Sequence, residues 1–196
     1  MPDHDLVLPL LSLPRVQKLD FPDVSAKPYL HFGPASQGRL RKSSKLRVGI
    51  AWAGSPTQRN DRNRSFAVSD MAPLFSTPGV EFVSLQKGPA VKQIGRSGFG
   101  FTVHDLSPAL TDFAATARIL ADIDLVISCD SAIVHLAGAL GTPTWVALSV
   151  FHDWRYGPRG DISHWYEKTR VFKQPEPGDW ASVFQRMAKD LKDFTR

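Results

Sequence analysis

A doubly wound, mostly parallel α/β sheet is the fold this sequence predicts, on three observations. Apolar runs of strand length alternate with segments of helical spacing from Leu46 onward. Each run is nearly continuous in apolar residues, as strands are when both faces of a parallel sheet are covered by helices; right-handed crossovers then place helices on both sides. Residues 124–149 read as a buried strand, an Asp-Ser turn, a short helix and a second buried strand. That arrangement aims the free N–H groups and positive dipole end of a helix at the carboxyl edge of the sheet, where an anion belongs.

Along the chain, residues 1–45 differ from the rest. Residues 6–14 are apolar, but Pro9 and Pro14 do not suit a helix interior or a central strand. Pro22, Pro28 and Pro34 continue this irregular N-terminal extension. A segment so apolar and irregular should lie against something, and it reads as the tail of a preceding lobe plus a linker. Arg39, Arg41, Lys42, Lys45 and Arg47 surround Ser43 and Ser44. This basic run reads as a solvated linker, with a phosphate-steering patch as the alternative.

The second unit, residues 46–196, carries the regular pattern. Residues 46–53 form a first strand that ends at Gly54-Ser55-Pro56, residues 80–85 a second, and residues 101–105 a weaker third. Leu110, Phe113, Ala114, Ala117, Leu120 and Ala121 recur at helical spacing over residues 111–121, with Thr111 as cap. A strand at Leu125–Cys129 leads to a helix at Ala132–Leu140, stopped by Gly141 and Pro143. Ala137, Gly138 and Ala139 let that helix approach the sheet. Thr144–Leu148 is read as the last strand. Residues 179–194 form a final helix with Asp179 as cap and Trp180, Val183, Phe184, Met187, Ala188 and Leu191 on one stripe.

Composition narrows the function classes. At 196 residues, with 42% hydrophobic and 22% charged side chains, the chain is long enough for one well-buried α/β domain with an appendage. The formal charge is +5. The basic residues are scattered and carry no nucleic-acid-binding signature, so a basic cleft for phosphorylated small molecules is the better reading. The one cysteine, Cys129, excludes an internal disulfide and sits in an apolar strand as a packed thiol. No apolar run reaches transmembrane length and the first residues lack a basic signal-peptide region, so a cytoplasmic location is expected.

Candidate binding residues gather where the predicted strands end. Asp130 and Ser131 stand at the helix start, as caps or as ligand contacts together with the N–H of Ala132. His135 lies one turn on, as a packed residue or as a phosphate or sugar contact. The loop after the first strand holds Gly54, Asn60, Arg62 and Arg64, more guanidinium and amide groups than a minimal turn needs. Guanidinium forks match the paired oxygens of a diphosphate. Gln86 and Lys87 end the second strand at the same edge. Asp153 and Trp154 follow the strand Thr144–Leu148, in a loop whose aromatics cover a sugar or base, or pack. No dinucleotide fingerprint, P-loop, nucleophile elbow or metal-ligand spacing occurs, so no metal and no cofactor are expected.

At these residues a family resemblance emerges. The Asp-Ser-x-x-x-His-Leu-Ala-x-Ala-Leu-Gly-Thr-Pro core from Asp130 to Pro143 resembles the C-terminal lobe of GT-B glycosyltransferases of the lipopolysaccharide heptosyltransferase type (glycosyltransferase family 9). The wider set is similar to bacterial glycosyltransferase-like proteins with upstream tetratricopeptide repeats: Pro-Leu-Leu-Ser-Leu-Pro at 9–14, Trp-Ala-Gly at 52–54, Asn-Asp-x-x-Arg-Ser at 60–65, Ser-Leu-Gln-Lys-Gly at 84–88, Thr-Asp-Phe-Ala at 111–114 and Pro-Gly-Asp-Trp at 177–180. The resemblance implies a single Rossmann-like lobe that binds a nucleotide-diphospho-sugar as donor substrate. Ser131, Ala132 and the helix start would hold the diphosphate, with Asp130 and His135 near the sugar. Arg64 or Arg62 would neutralise the leaving phosphate, where heptosyltransferases usually carry lysine. Arg64, Asp130 and His135 are thus the catalytic candidates.

The resemblance further implies transfer to an acceptor hydroxyl without a metal. It also implies a first lobe carrying the acceptor base, supplied in trans or by a homo-oligomer, because the chain opens at what reads as the last segment of that lobe. A non-catalytic nucleotide-binding or interaction module is the competing reading, and a sugar-nucleotide epimerase a third. Apolar surface around residues 6–13 and Trp154 is expected to be exposed.

Overall fold

The computed structural model describes residues 3–20, 23–31, 43–96, 103–157 and 160–195. Pro22, Pro34, Arg39, Arg41, Lys42 and residues 101–102 of the expected third strand lie outside them. Among the described residues, six strands form one sheet: β1 Leu46–Ala51, β2 Val80–Ser84, β3 Val103–Asp105, β4 Leu125–Cys129, β5 Thr144–Leu148 and β6 Thr169–Lys173. The order is β3-β2-β1-β4-β5-β6 and every pairing between them is parallel. This is the Rossmann order, with its switch point between β1 and β4.

Side chains alternate along each strand, so each strand feeds two cores. On one face, Val48, Ile50, Leu125, Ile127, Trp145 and Phe172 pack with the short helix α3 (Ala72–Phe75) and the long helix α6 (Trp180–Phe194). On the other, Val83, Leu85 and Val126 pack with α4 (Phe113–Leu120) and α5 (Ala132–Leu140). Helices on both faces make the fold doubly wound, as the alternation of apolar runs predicted. The strand, helix and strand from Leu125 to Leu148 form at the predicted bounds. Gly141 takes φ 76° at the end of α5, a conformation that suits glycine and stops the helix.

The structure corrects the sequence reading in several places. Strand β1 stops at Ala51, because the N–H groups of Trp52 and Ala53 turn to the Gln86 amide oxygen, each at 2.9 Å. Asp112, not Thr111, caps α4, since its carboxylate reaches the Ala115 N–H at 2.6 Å. The strand Thr144–Leu148 is not the last, for β6 follows it. Gly138 makes room for the Tyr166 ring, which a Cβ there would strike, more than for the sheet. Pro14 sits in the first turn of a short helix, α1 (Leu13–Val16), the one turn that tolerates proline.

The N-terminal extension is tied down at its far end. Tyr29 and Leu30 both donate their N–H to the Ala139 carbonyl at 3.0 Å, and Glu167 donates to the Ala26 carbonyl at 3.0 Å. Residues 26–30 therefore lie across the C-terminal end of α5. Leu6, Val7, Leu10 and Leu11 are exposed, as is Trp154.

Candidate functional site

At the switch point the carboxyl edge of the sheet opens into a cavity of about 630 Å³. Its walls are residues 53–56 after β1, residues 85–89 after β2, residues 110–113 entering α4 and residues 131–133 at the start of α5. Two helix N-termini thus face one space, and they differ in a decisive way. Helix α4 is closed by the Asp112 carboxylate. Ser131 occupies the N-cap position of α5 in extended backbone, but its hydroxyl makes no cap and instead pairs with the Ser128 hydroxyl at 3.1 Å. Ala132 and Ile133, whose first-turn N–H groups have no acceptor within a helix, line the cavity.

Arg64 lines the cavity beside the start of α5. It ends the short helix α2 (Asp61–Arg64), with Nε on Asp61 Oδ1 at 3.1 Å and Nη1 on the Asp130 carbonyl at 2.9 Å. Asp61 Oδ1 also accepts from the Ser65 hydroxyl at 3.0 Å, and that hydroxyl accepts from the Gly54 N–H at 3.0 Å. The guanidinium lies so close over Gly54 that a Cβ at this position would collide with it. Lys87 reaches across the cavity and donates from Nζ to the Leu110 carbonyl. Two cations and an open helix start therefore surround a space whose one lining carboxylate among the described residues, Asp112, serves as a cap. Such a space suits a polyanion.

Gln86 lines the same cavity, yet its amide is occupied. It accepts from the N–H groups of Trp52 and Ala53 and donates to the carbonyls of Ala53 at 2.9 Å and Lys87 at 2.7 Å. Its evident work is to fold the loop between β1 and the cavity.

The remaining sequence candidates stand outside the cavity. Asp130 and His135 form a second cluster beside it. Tyr156, buried, donates its hydroxyl to Asp130 Oδ1 at 2.9 Å, and His135 Nε2 lies 3.8 Å from the same oxygen. His135 Nδ1 is 3.2 Å from the Tyr166 hydroxyl. Burial, and then the Arg155 charge, lower His135 from its ordinary imidazole value. Asp153 caps the 3-10 turn Trp154–Tyr156 and pairs with Arg155 Nε at 2.8 Å. The Trp154 ring stands edge-on to Trp165, 6.2 Å between centroids. Asn60 donates to the Phe151 carbonyl at 3.1 Å and so ties the β1 loop to the β5 loop, while Arg62 is exposed. The structure thus brings Gly54, Arg64, Gln86, Lys87, Ser131 and Ala132 together and sets Asn60, Arg62, Asp130, His135, Asp153 and Trp154 around them.

Comparison with known proteins bears on the fold and on the segment around α5. The family model for glycosyltransferase family 9 (heptosyltransferase) matches residues 96–156, the segment that holds α4, β4, α5 and β5. In solved structures, E. coli ADP-heptose lps heptosyltransferase II superposes with a TM-score of 0.54 at 16% identity, over 79% of this chain and 47% of that one. E. coli heptosyltransferase WaaC with ADP gives 0.51 at 19% identity, over 80% and 45%. The fold is one that heptosyltransferases share. Protein FlbA of Caulobacter vibrioides is 32% identical over 153 residues, which is 76% of this chain and 25% of FlbA. The chain therefore spans a quarter of that relative's length and less than half of each heptosyltransferase.

Sequence reasoning passed over three features of the site. The start of α4, with Leu110, Thr111 and Phe113, lines the cavity as fully as that of α5; the helical spacing was visible, and its strand-edge start was the unused signal. Tyr156 was counted only among the loop aromatics. Tyr166 carries no local signal, since its partner lies 31 residues earlier. Cys129 is a packed thiol, pushed up to about 12 by burial. Among the described residues no three His, Cys, Asp or Glu side chains group as a metal site, and no helix is long and apolar enough to cross a membrane.

Proposed function

We propose that this chain is the donor-binding, C-terminal-type lobe of an inverting GT-B glycosyltransferase, working in the cytoplasm on a nucleotide-diphospho-sugar. The observation that carries the reading is the cavity between an uncapped helix start and two cations. The diphosphate lies against the N–H groups of Ala132 and Ile133, with the Arg64 guanidinium and the Lys87 ammonium beside it. The nucleoside extends toward residues 110–113, and the sugar toward Asp130 and His135.

Transfer is then a single displacement. The acceptor oxygen bonds to the anomeric carbon as that carbon's bond to the diphosphate breaks, and the acceptor proton passes to a base. Charge builds on the departing diphosphate, where the helix start, Arg64 and Lys87 stabilise it without help from a metal. The base comes from a first lobe, supplied by another part of a longer chain, by a separate protein or by a second copy.

One observation favours a second reading, a module that binds a nucleotide without transfer. Asp112, the one carboxylate among the described lining residues, is spent on capping α4, leaving no proton acceptor in the cavity itself. Incubation with UDP-, ADP- and GDP-sugars, with release of the nucleoside diphosphate as readout, separates the readings. Release that needs an acceptor supports the transferase. Saturable binding with no release under any acceptor or partner lobe supports the module.

A further inference from the structure

Strand β5 runs into a loop, residues 149–157, whose two ends are held by one side chain. His152 Nδ1 stands 3.0 Å from the Ser149 carbonyl oxygen, and His152 Nε2 stands 3.0 Å from the Gly157 carbonyl oxygen. Both distances are those of N–H···O hydrogen bonds. A backbone carbonyl only accepts, so each contact needs a proton on its own ring nitrogen. A neutral imidazole carries one such proton, and only the imidazolium carries both. The neutral ring would set a nitrogen lone pair against a carbonyl oxygen at one of the two contacts, and that contact must open. Uncharged His152 ties one end of the loop but not both.

The surroundings bear on that charge. Lys173, from β6, donates Nζ to the same Gly157 oxygen at 2.8 Å, which uses the second lone pair of that carbonyl. Its ammonium opposes a charge on His152, although burial lowers Lys173 from its ordinary value. On the loop itself, Asp153 and Arg155 spend their charges on each other at 2.8 Å. Arg186 of α6 donates to the Lys173 carbonyl.

The loop has a task beside the cavity. The Tyr156 N–H donates to the Asp153 carbonyl at 3.2 Å and the Gly157 N–H to the Trp154 carbonyl at 2.9 Å, so residues 153–157 form one turn. From that turn the Tyr156 hydroxyl reaches Asp130 Oδ1 at 2.9 Å.

We infer that His152 is a proton-operated clasp. Its imidazolium joins the Ser149 and Gly157 carbonyls and seats the turn that holds Tyr156 on Asp130; loss of the proton releases one end of the loop. The inference goes beyond the proposed function and does not rest on it.

The test uses the full chain labelled with ¹⁵N and ¹³C. It follows the His152 ring nitrogens and the Ser149 and Gly157 carbonyl carbons from about pH 8 to about pH 5, the span over which imidazoles titrate. Both carbonyl resonances should shift with the midpoint of the ring, and both should stay flat in His152→Gln, which identifies the ring signals. Lys173→Met removes the opposing charge and should move the midpoint to higher pH. A carbonyl that stays flat while the wild-type ring titrates would overturn the clasp. Carbonyl shifts that persist in His152→Gln would overturn it too. An unmoved midpoint in Lys173→Met would overturn the shared hold on Gly157. Should the Gln variant fail to fold, the wild-type titration decides alone.

A last resonance reads the link to Asp130. The Tyr156 Cζ should shift with the same midpoint, and Tyr156→Phe should leave the carbonyl titration in place. A Tyr156 signal indifferent to that midpoint would overturn the seating of Tyr156, and the two carbonyls would still judge the clasp.

Discussion

Arg64 concentrates the chemistry of the site at the residue scale. It holds Asp61 on its own helix and the Asp130 carbonyl across the sheet edge, and its guanidinium fills the space above Gly54. Gly54→Ala should therefore act through Arg64. The new Cβ meets the ends of two flexible side chains, so the fold should survive while nucleoside diphosphate affinity falls about tenfold, the value of one charge-assisted hydrogen bond. Circular dichroism and calorimetry together check this; unchanged affinity would show that Arg64 does not hold the ligand. Gln86 predicts the opposite profile. Gln86→Leu orphans buried N–H and C=O groups of residues 52–53 and should cost about 3 kcal/mol of stability in urea melts. His135 predicts a pH effect. Its folded value lies below its ordinary one, chiefly through burial and then through Arg155, so the folded chain takes up its proton less readily than the unfolded chain. Stability should then fall as pH drops through the ordinary imidazole value and level off below the folded one. Melts between about pH 8 and about pH 5 should lose more stability in the wild type than in His135→Gln; parallel profiles would contradict the assignment.

At the scale of elements, the strand, helix and strand around Asp130 place the site, and they were also the most legible part of the sequence. Their strands are continuous apolar runs with the short helix fixed by Gly141 and Pro143, so local pattern and global fold agree there. Helix α6 was legible for the same reason, through its apolar stripe and the Asp179 carboxylate that accepts from the Ser182 N–H at 3.0 Å. Phe184 on that stripe is buried against Phe66, 4.8 Å between ring centroids, and Phe184→Ala should cost about 4 kcal/mol by the cavity it leaves. A loss below about 1 kcal/mol would mean α6 is not part of the core. Strand β6 was illegible because Thr-Arg-Val-Phe-Lys has only two apolar residues, set between Arg170 and Lys173. It forms because β5 offers an open edge, and Arg170 lies over the Trp145 and Phe172 rings. The site was legible only where a motif is local. Ser131 was placed at the helix start, but its turn toward Ser128 is a matter of side-chain geometry. The grip of Tyr156 on Asp130 spans 26 residues and shows only in the fold.

For the whole molecule, the sheet order puts the β1–β4 switch point, two helix starts and the basic residues Arg64 and Lys87 around one cavity. The extension packs at the other end of α5, where Tyr29 and Leu30 donate to the Ala139 carbonyl. A formal charge of +5 favours the approach of an anionic ligand from solution. Whether this cavity holds a nucleoside diphosphate is tested by calorimetric titration of the purified chain with ADP, UDP and GDP, repeated on Arg64→Ala. Saturable binding of one nucleotide is expected, weakened at least about tenfold in the variant and more so in low salt than in high. Silence toward all three, or equal binding by Arg64→Ala, would contradict it.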